Sequence, residues 1–323
     1  MKSIDLKSFG KQDISFYLAA EQYFLPRLEE DLFFLWDLHK AIVVGRNQLI
    51  SSEVNMEYVH RNGIPVFRRP TGGGAVFADE GCFMFTFLSK NVNREQVFSK
   101  YLGMIKDCFK NIGLEVELSG RNDLLFNGKK FSGNAFLNNE HGSILHGTIL
   151  YDTDLEKLVN SLTPDDAKLI SKGIKSVRER VINLKEYVGM PIEALMDRLW
   201  KHFTTSSFTL KPDQLQAIKK IETGFLSDEW INYHNPPYSF RAKHRFPWGS
   251  LEAFMDIKKQ RIVSMELSGD FFERQPVTEW CQEMTGTPFS EIEMGKTLDA
   301  NPIEKYIEGA SKQDLIDLIW RNL

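Results

Sequence analysis

The sequence predicts an α/β (α+β) protein in two domains, a large one built on a mixed or antiparallel sheet and a small α/β unit after it. Three observations predict this. The 323 residues exceed the usual single-domain size. Short apolar runs separated by turn residues alternate with stretches of 3–4 apolar periodicity, so strands and helices interleave. A polar segment with paired prolines and no periodicity, "YHNPPYSFRAKHRF" (233–246), then sets the tail apart. The expected division is 1–234, a linker at 235–243, and 244–323.

Taken in order, "FFLWDLHKAIVVGRNQ" (33–48) reads as two strands joined by a short turn. "PVFRRP" and "GGGAVFADEGCFMFTFL" read as further strands around a glycine loop. In "REQVFSKYLGMIKDCFKNIGL" (94–114), Val97, Phe98, Tyr101, Leu102, Ile105, Cys108, Phe109 and Ile112 share one helical face, and Gly113 suits a C-cap. "VEL", "DLLFN", "FSGNAFL" and "HGTILYD" are strand-like, and the Asn127–Gly128 pair marks a hairpin because both residues tolerate positive φ. "DTDLEKLVNSL" (152–162) and "PIEALMDRLWKHFTT" (191–205) read as helices. In the tail, "LEAFMDIKKQRIVSMELSGDFF" reads as two strands around a charged turn, followed by two amphipathic helices.

Bulk properties exclude several function classes. A net charge of -4 is not that of a general nucleic-acid binder. Cys82, Cys108 and Cys281 show no metal-ligand or CxxC spacing and fit reduced thiols. The start, "MKSIDLKSFGKQD", lacks the apolar core of a signal peptide, and no run approaches the ~20 apolar residues of a membrane helix. A soluble cytoplasmic protein, with neither nucleic acid nor membrane as partner, is expected.

Chemistry concentrates in three motifs. "RRPTGGGAVF" (68–77) puts two fixed charges beside bare backbone, where N–H groups can converge on phosphate or carboxylate oxygens. It matches neither GxxxxGK[ST] nor GxGxxG, and a basic hairpin turn is the plain alternative. "GRNDLLFNGKKFSGNAF" (120–136) carries Lys129 and Lys130 on a strand leaving a tight turn, with Arg121, Asn122 and Asp123 across the hairpin. Strand alternation sends the two lysines to opposite faces. An Asp near a lysine can hold Mg²⁺ and bring phosphates to the ammonium; two solvated lysines are the plain alternative. "LHGTIL" (145–150) sets His146 and Thr148 on one strand face, where a lone histidine is more often structural.

Together and in this order, the motifs resemble the lipoate–protein ligase A family, within the wider group of biotin and lipoate ligases. "FLW…VVGRNQ", "RRPTGGGAVF", "GRNDLLFNGKKFSGNA", "HGTIL" and "LTPDDAKLISKGIKSVRERVINL" (162–184) carry the resemblance across nearly all of 30–190. The last has no obvious chemistry. "FPWGSLE" and its strand pair resemble the family's small C-terminal domain, an accessory to the catalytic domain at 1–234.

The resemblance implies activation of lipoate with Mg·ATP to lipoyl-AMP, then transfer to a lysine of a lipoyl-carrier protein. That carrier would be a glycine-cleavage H-type protein or a 2-oxoacid dehydrogenase E2 lipoyl domain. It implies Lys130, one apolar residue before Ser-Gly, as the essential lysine, bridging acyl and phosphate oxygens. Arg69 would sit at the nucleotide phosphates, with Gly74, Ala75, Val76 and Phe77 lining the adenylate. Thr71, Gly72 and Gly73 would let the acyl carboxylate reach the α-phosphate. Asp123 would contact Mg²⁺ or nucleotide; Asn122, Gly133, Asn134, His146 and Thr148 complete the ATP and lipoyl-AMP set. An apolar tail wants a hydrophobic tunnel, for which Trp36, Val43, Val44 and Phe85 are candidates.

Two departures stand out. Where the family usually reads "GGGAVYHDxGN", Ala78 and Cys82 replace the His and Asn. A divergent paralogue with a restricted acceptor, such as an H-type protein, is the corresponding expectation. The nearest rival is an octanoyl- or lipoyl-transferase holding the acyl group on a cysteine, with Cys82 beside the loop. A non-catalytic carrier-binding module is a second rival. The "GRGR"-type loop of biotin ligases is missing.

Overall fold

The computed structural model describes residues 1–119, 122–162, 179–232 and 238–321. Most of the segment 162–184, together with Arg121, lies outside the described residues. The chain divides into two units. Met1–Val44, Glu53–Pro70 and Val76–Ile231 form the first; Gly45–Ser52, Thr71–Ala75 and Asn232–Leu323 form the second. Two short pieces from the expected large domain, one of them the glycine loop, thus group with the tail. Nothing in the order of the chain announces this.

The first unit holds β1 (Lys2–Asp5), β2 (Leu32–Trp36), β3 (Ala41–Val44), β4 (Val66–Arg68), β5 (Val76–Ala78), β6 (Cys82–Ser89), β7 (Val116–Ser119), β8 (Asp123–Phe126), β9 (Lys129–Asn139), β10 (Gly142–Leu150) and β11 (Ser206–Thr209). Its main sheet has eight strands in the order β11-β1-β2-β6-β10-β9-β8-β7. Only the β11-β1-β2 end is parallel. A three-stranded sheet, β4-β3-β5, stands apart from it.

The 33–48 stretch does contain two strands, but they form no hairpin with each other. β2 pairs with β1 and β6, whereas β3 pairs with β4 and β5. The intervening turn is fastened elsewhere: the Tyr17 hydroxyl donates to the Asp37 carbonyl at 2.6 Å, and Gln12 N–H donates to it at 3.1 Å.

The unit's longer helices are α1 (Ile14–Phe24), α2 (Arg94–Lys110), α3 (Leu155–Leu162), α4 (Ile192–Phe203) and α5 (Pro212–Phe225). Alternation along the strands feeds two cores. Phe34, Trp36, Met84, Leu88 and Ile144 pack with α1 and α5. Phe33, Leu35, Phe83, Phe85, Phe87 and Leu145 pack with α2 and α4 on the opposite face. Each fully buried aromatic or aliphatic side chain contributes about 1.5–3 kcal/mol, so a slip of one residue in β2 or β6 would exchange the two cores. The Asn93 side chain caps α2 by accepting from Gln96 N–H, and the helix stops at Lys110. Gly113, expected as the cap, lies three residues further on at φ 86°.

In the second unit, β12 (Phe240–Phe246), β13 (Gly249–Lys258) and β14 (Arg261–Gly269) form an antiparallel meander. β12 overturns the end of the expected linker. Residues 235–237 lie outside the described residues, but Phe240 and Ala242 already pack into a core. The charged turn is Lys259–Gln260, both at positive φ (50° and 58°) without a glycine. Three helices cover the sheet where two were expected: α6 (Val277–Glu283), α7 (Glu291–Ala300) and α8 (Lys312–Trp320).

Candidate active site

Lys130 owes its position to an irregularity in β9. Leu124 pairs with Ser132 and Leu125 with Lys130, so Phe131 is an extra residue in the ladder. Such a bulge breaks the two-residue alternation and re-aims a side chain. Phe131 is fully buried in the core beneath α2 and α4. Lys130 emerges on the same face as Asp123 and Gly133, which are cross-strand partners. Its Nζ stands 2.7 Å from Asp123 Oδ1. A Cβ on Gly133 would come within 2.8 Å of both Lys130 Cε and Nζ, so the missing methyl is the space the lysine occupies. The side chain is 39% exposed, hence reachable.

Beyond Gly133 the same face stays polar. Gly133 N–H donates to Thr148 Oγ1 at 3.4 Å. Two residues along β10, His146 is buried with its Nδ1 2.8 Å from Glu21 Oε1. The Thr86 hydroxyl donates to the same oxygen at 2.6 Å and accepts from Trp36 Nε1–H at 2.8 Å. The histidine ring meets Trp36 edge-on, centroids 5.7 Å apart. A buried carboxylate is costly unless its hydrogen bonds are met; holding His146 with Nδ1–H toward Glu21 meets one and fixes the ring. Sequence reasoning missed Glu21 and Thr86. For Glu21 the available signal was a single acid in the mostly apolar helical run "ISFYLAAEQYF".

Asn122 and Asn134 are turned inward on one another. Asn134 donates to the Asn122 carbonyl through its N–H (3.1 Å) and its Nδ2 (2.8 Å), while Asn122 Nδ2 donates to the Asn134 carbonyl. They lock β8 to β9 across the bulge. Of the tunnel candidates, Trp36 and Val43 share one core. Phe85 belongs to the other, because Leu35 pairs with Phe85 and Trp36 with Met84. Phe85 and Trp36 therefore cannot line one tunnel. Val44 is buried.

Arg69 follows β4, with its N–H on the Val44 carbonyl (3.0 Å) and Nη1 on the Val43 carbonyl (3.1 Å). Burial, with the charge of Arg68 beside it, brings its pKa down to about 10, so it remains cationic at neutral pH. Arg68, not anticipated as a site residue, is fully buried and donates to the Ile231 carbonyl at 2.9 Å. Val76 and Phe77 lie in β5, opposite Val43 and Ile42.

Thr71, Gly72, Gly73, Gly74 and Ala75 belong to the second unit. There a Cβ on Gly72 would strike the Phe271 carbonyl oxygen at 2.4 Å, and Gly73 N–H donates to that oxygen at 3.4 Å. Gly74 faces Asp270. The Thr71 carbonyl accepts from Arg46 N–H at 2.9 Å.

Cys82 is buried, and burial pushes its thiol up to about 12. A thiolate nucleophile needs the opposite shift. Among the described residues no group of three or more His, Cys, Asp or Glu could hold a metal ion. Asp123 is a single carboxylate already facing an ammonium. That suits a Mg²⁺ carried on nucleotide phosphates and does not suit a resident metal cage. Among the same residues no helix is long and apolar enough to cross a membrane.

Residues 13–204 match the lipoyl protein ligase A/B catalytic domain, and 235–319 match the bacterial lipoate protein ligase C-terminus. The fold and this pairing define an LplA-type ligase architecture. Lipoate-protein ligase LplJ of Bacillus subtilis is 31% identical over 316 residues, 94% of this chain and 96% of that one. A lipoate–protein ligase of Streptococcus pyogenes is 33% identical over 311 residues, 91% of each. The chain belongs to the lipoate–protein ligase A family. Solved structures agree in fold: P. falciparum LipL1 in complex with lipoate superimposes at TM-score 0.76 with 22% identity, covering 98% of this chain and 96% of that one. A lipoate-protein ligase A bound with ATP does so at 0.62 and 21%, covering 72% and 98%.

Proposed function

We propose that the chain activates lipoate with Mg·ATP to lipoyl-AMP, releasing pyrophosphate, and then passes the lipoyl group to a lysine of a carrier protein. Lys130 carries this reading. Attack of a carboxylate on the α-phosphate brings two anions together, and charge grows on the phosphoryl oxygens. An ammonium already oriented by a bulge, an empty Gly133 and Asp123 meets that charge without reorganisation, an effect of about 10²–10³ in rate. The same ammonium can polarise the acyl carbonyl while the carrier lysine attacks. No enzyme nucleophile is required. Arg69 serves the nucleotide phosphates, Asp123 a metal that arrives with them, and Val76 and Phe77 the acyl-adenylate.

Family membership makes the chain a lipoate–protein ligase enzyme; ATP and lipoate are what two structural neighbours of the same fold bind. The cysteine-transferase alternative loses support from the raised Cys82 thiol. The carrier is a glycine-cleavage H-type protein or an E2 lipoyl domain, and lipoylation rates on the two decide between them. Ala78 and Cys82 are both buried and present nothing to a carrier.

The test of the reaction is ATP–pyrophosphate exchange with lipoate, octanoate or biotin as the acid. Exchange that depends on lipoate is expected. No exchange with any of the three would defeat the adenylation step.

A further inference from the structure

One stretch of family-like sequence is left without a role by the chemistry above: 162–184, whose described end runs from 179. β10 pairs with β9 only as far as Gly147–Asn134. Past that point, along the edge of β9 that carries Lys130, residues 181–182 take the place of β10. Val181 forms a parallel bridge with Lys130, and Ile182 N–H donates to the Lys130 carbonyl at 2.9 Å.

We propose that Asn183 is a positioning residue for Lys130. Its side-chain amide closes on both polar groups of one residue. Thr153 N–H donates to Oδ1 at 3.1 Å, and Nδ2 donates to the Thr153 carbonyl at 2.9 Å. A paired amide fixes orientation as well as distance, since either bond alone leaves a rotation free. Leu184 N–H then reaches the Leu150 carbonyl (3.1 Å) and Lys185 N–H the Tyr151 carbonyl (2.9 Å), registering the segment on the end of β10.

The anchor is itself held. Asp79 accepts from Asp154 N–H through Oδ2 (2.9 Å) and from Gly81 N–H through Oδ1 (3.0 Å). Gly81 has no room for a Cβ, which would lie 2.1 Å from the Asp152 carbonyl oxygen. Asp79 and Gly81 are the residues of "HDxGN" that this chain keeps while the His and Asn change. Hydrogen bonds joined by single peptide links therefore run from the turn after β5, through Asp154 and Thr153 to Asn183, and through its neighbour Ile182 to the main chain of Lys130. The bulge faces Lys130 the right way; Asn183 keeps its backbone there.

The test measures Lys130 itself. Limiting acetic anhydride followed by peptide mass spectrometry gives the acetylation rate of Lys130 relative to Lys129 in the full chain. In Asn183→Ala the backbone that holds Lys130 against Asp123 loosens, and its relative rate rises about threefold or more. Asn183→Asp keeps the acceptor for Thr153 N–H but sets a carboxylate oxygen against the Thr153 carbonyl, and should raise the relative rate as well, without leaving the cavity that alanine would. In lipoate-dependent exchange, kcat falls about tenfold while KM for ATP and lipoate stays within about twofold. The exchange readout rests on the proposed function; the labelling does not, so an inactive wild type would count against the reaction and leave the labelling to decide the role of Asn183. An unchanged Lys130 rate in both variants, whatever their Tm, would overturn the proposal and leave Asn183 a stabilising residue only.

Discussion

Gly133 and Gly72 both sit in motifs where bare backbone suggests room for a ligand, and the structure fills the two spaces differently. At Gly133 the missing Cβ admits the end of Lys130, a mobile side chain with a charge. At Gly72 it admits the Phe271 carbonyl, which is rigid backbone. A glycine thus reports a close approach, and its neighbour decides whether that approach concerns chemistry or packing. The first space can be adjusted at small cost in stability and large cost in rate. The second cannot be adjusted without a cost in stability.

The widest separation should come from Gly133→Ala. The methyl displaces the ammonium from Asp123, and exchange should fall at least about tenfold, because small misplacements of a catalytic group are costly. Thermal unfolding should barely move, since the lysine tip can swing aside. A large drop in Tm with normal exchange would break the contrast. Gly72→Ala comes next: backbone cannot yield as a side chain does, and about 1–3 kcal/mol of stability should be lost in denaturant unfolding. A neutral effect would mean that the Phe271 contact is loose. Smallest is Cys82→Ala, which should leave exchange within about twofold and cost about 1 kcal/mol. Because burial pushes the Cys82 thiol up to about 12, the native protein should also resist iodoacetamide at pH 8, with the slow labelling still rising steadily from pH 7 to 9 and no plateau in that range. Rapid labelling of Cys82, or loss of turnover on its replacement, would reopen the transferase mechanism.

Much of the β8–β9 hairpin could be read from the residue string because it is local. The Asn127–Gly128 turn and the strands on either side follow from short-range rules, whereas Lys130 is picked out only by the family resemblance. The bulge could not be read so. Alternation sends Lys130 away from Lys129, but only the burial of Phe131 against α2 and α4 decides that Lys130 and Gly133 share a face. Glu21 and His146 are 125 residues apart, and either alone looks like an ordinary buried polar residue. The pairing of 45–52 and 71–75 with the C-terminal unit likewise rests on contacts between distant segments, such as the Asn47 carbonyl accepting from Gly269 N–H at 2.8 Å. The two strands of 33–48 form as read because strand identity is local, whereas their partners, β1 and β6 for one and β4 and β5 for the other, are not. Phe85 was misplaced for a related reason: its face depends on its register with Leu35.

The measurement that bears most directly on the account is lipoate-dependent ATP–pyrophosphate exchange by Lys130→Ala beside the wild type, with both checked for the same Tm. The account predicts exchange in the wild type and a loss of about 10²–10³ in the variant, the size expected for one preorganised charge at a developing oxyanion. Wild-type exchange that survives the substitution would contradict it and move the chemistry away from the β8–β9 hairpin.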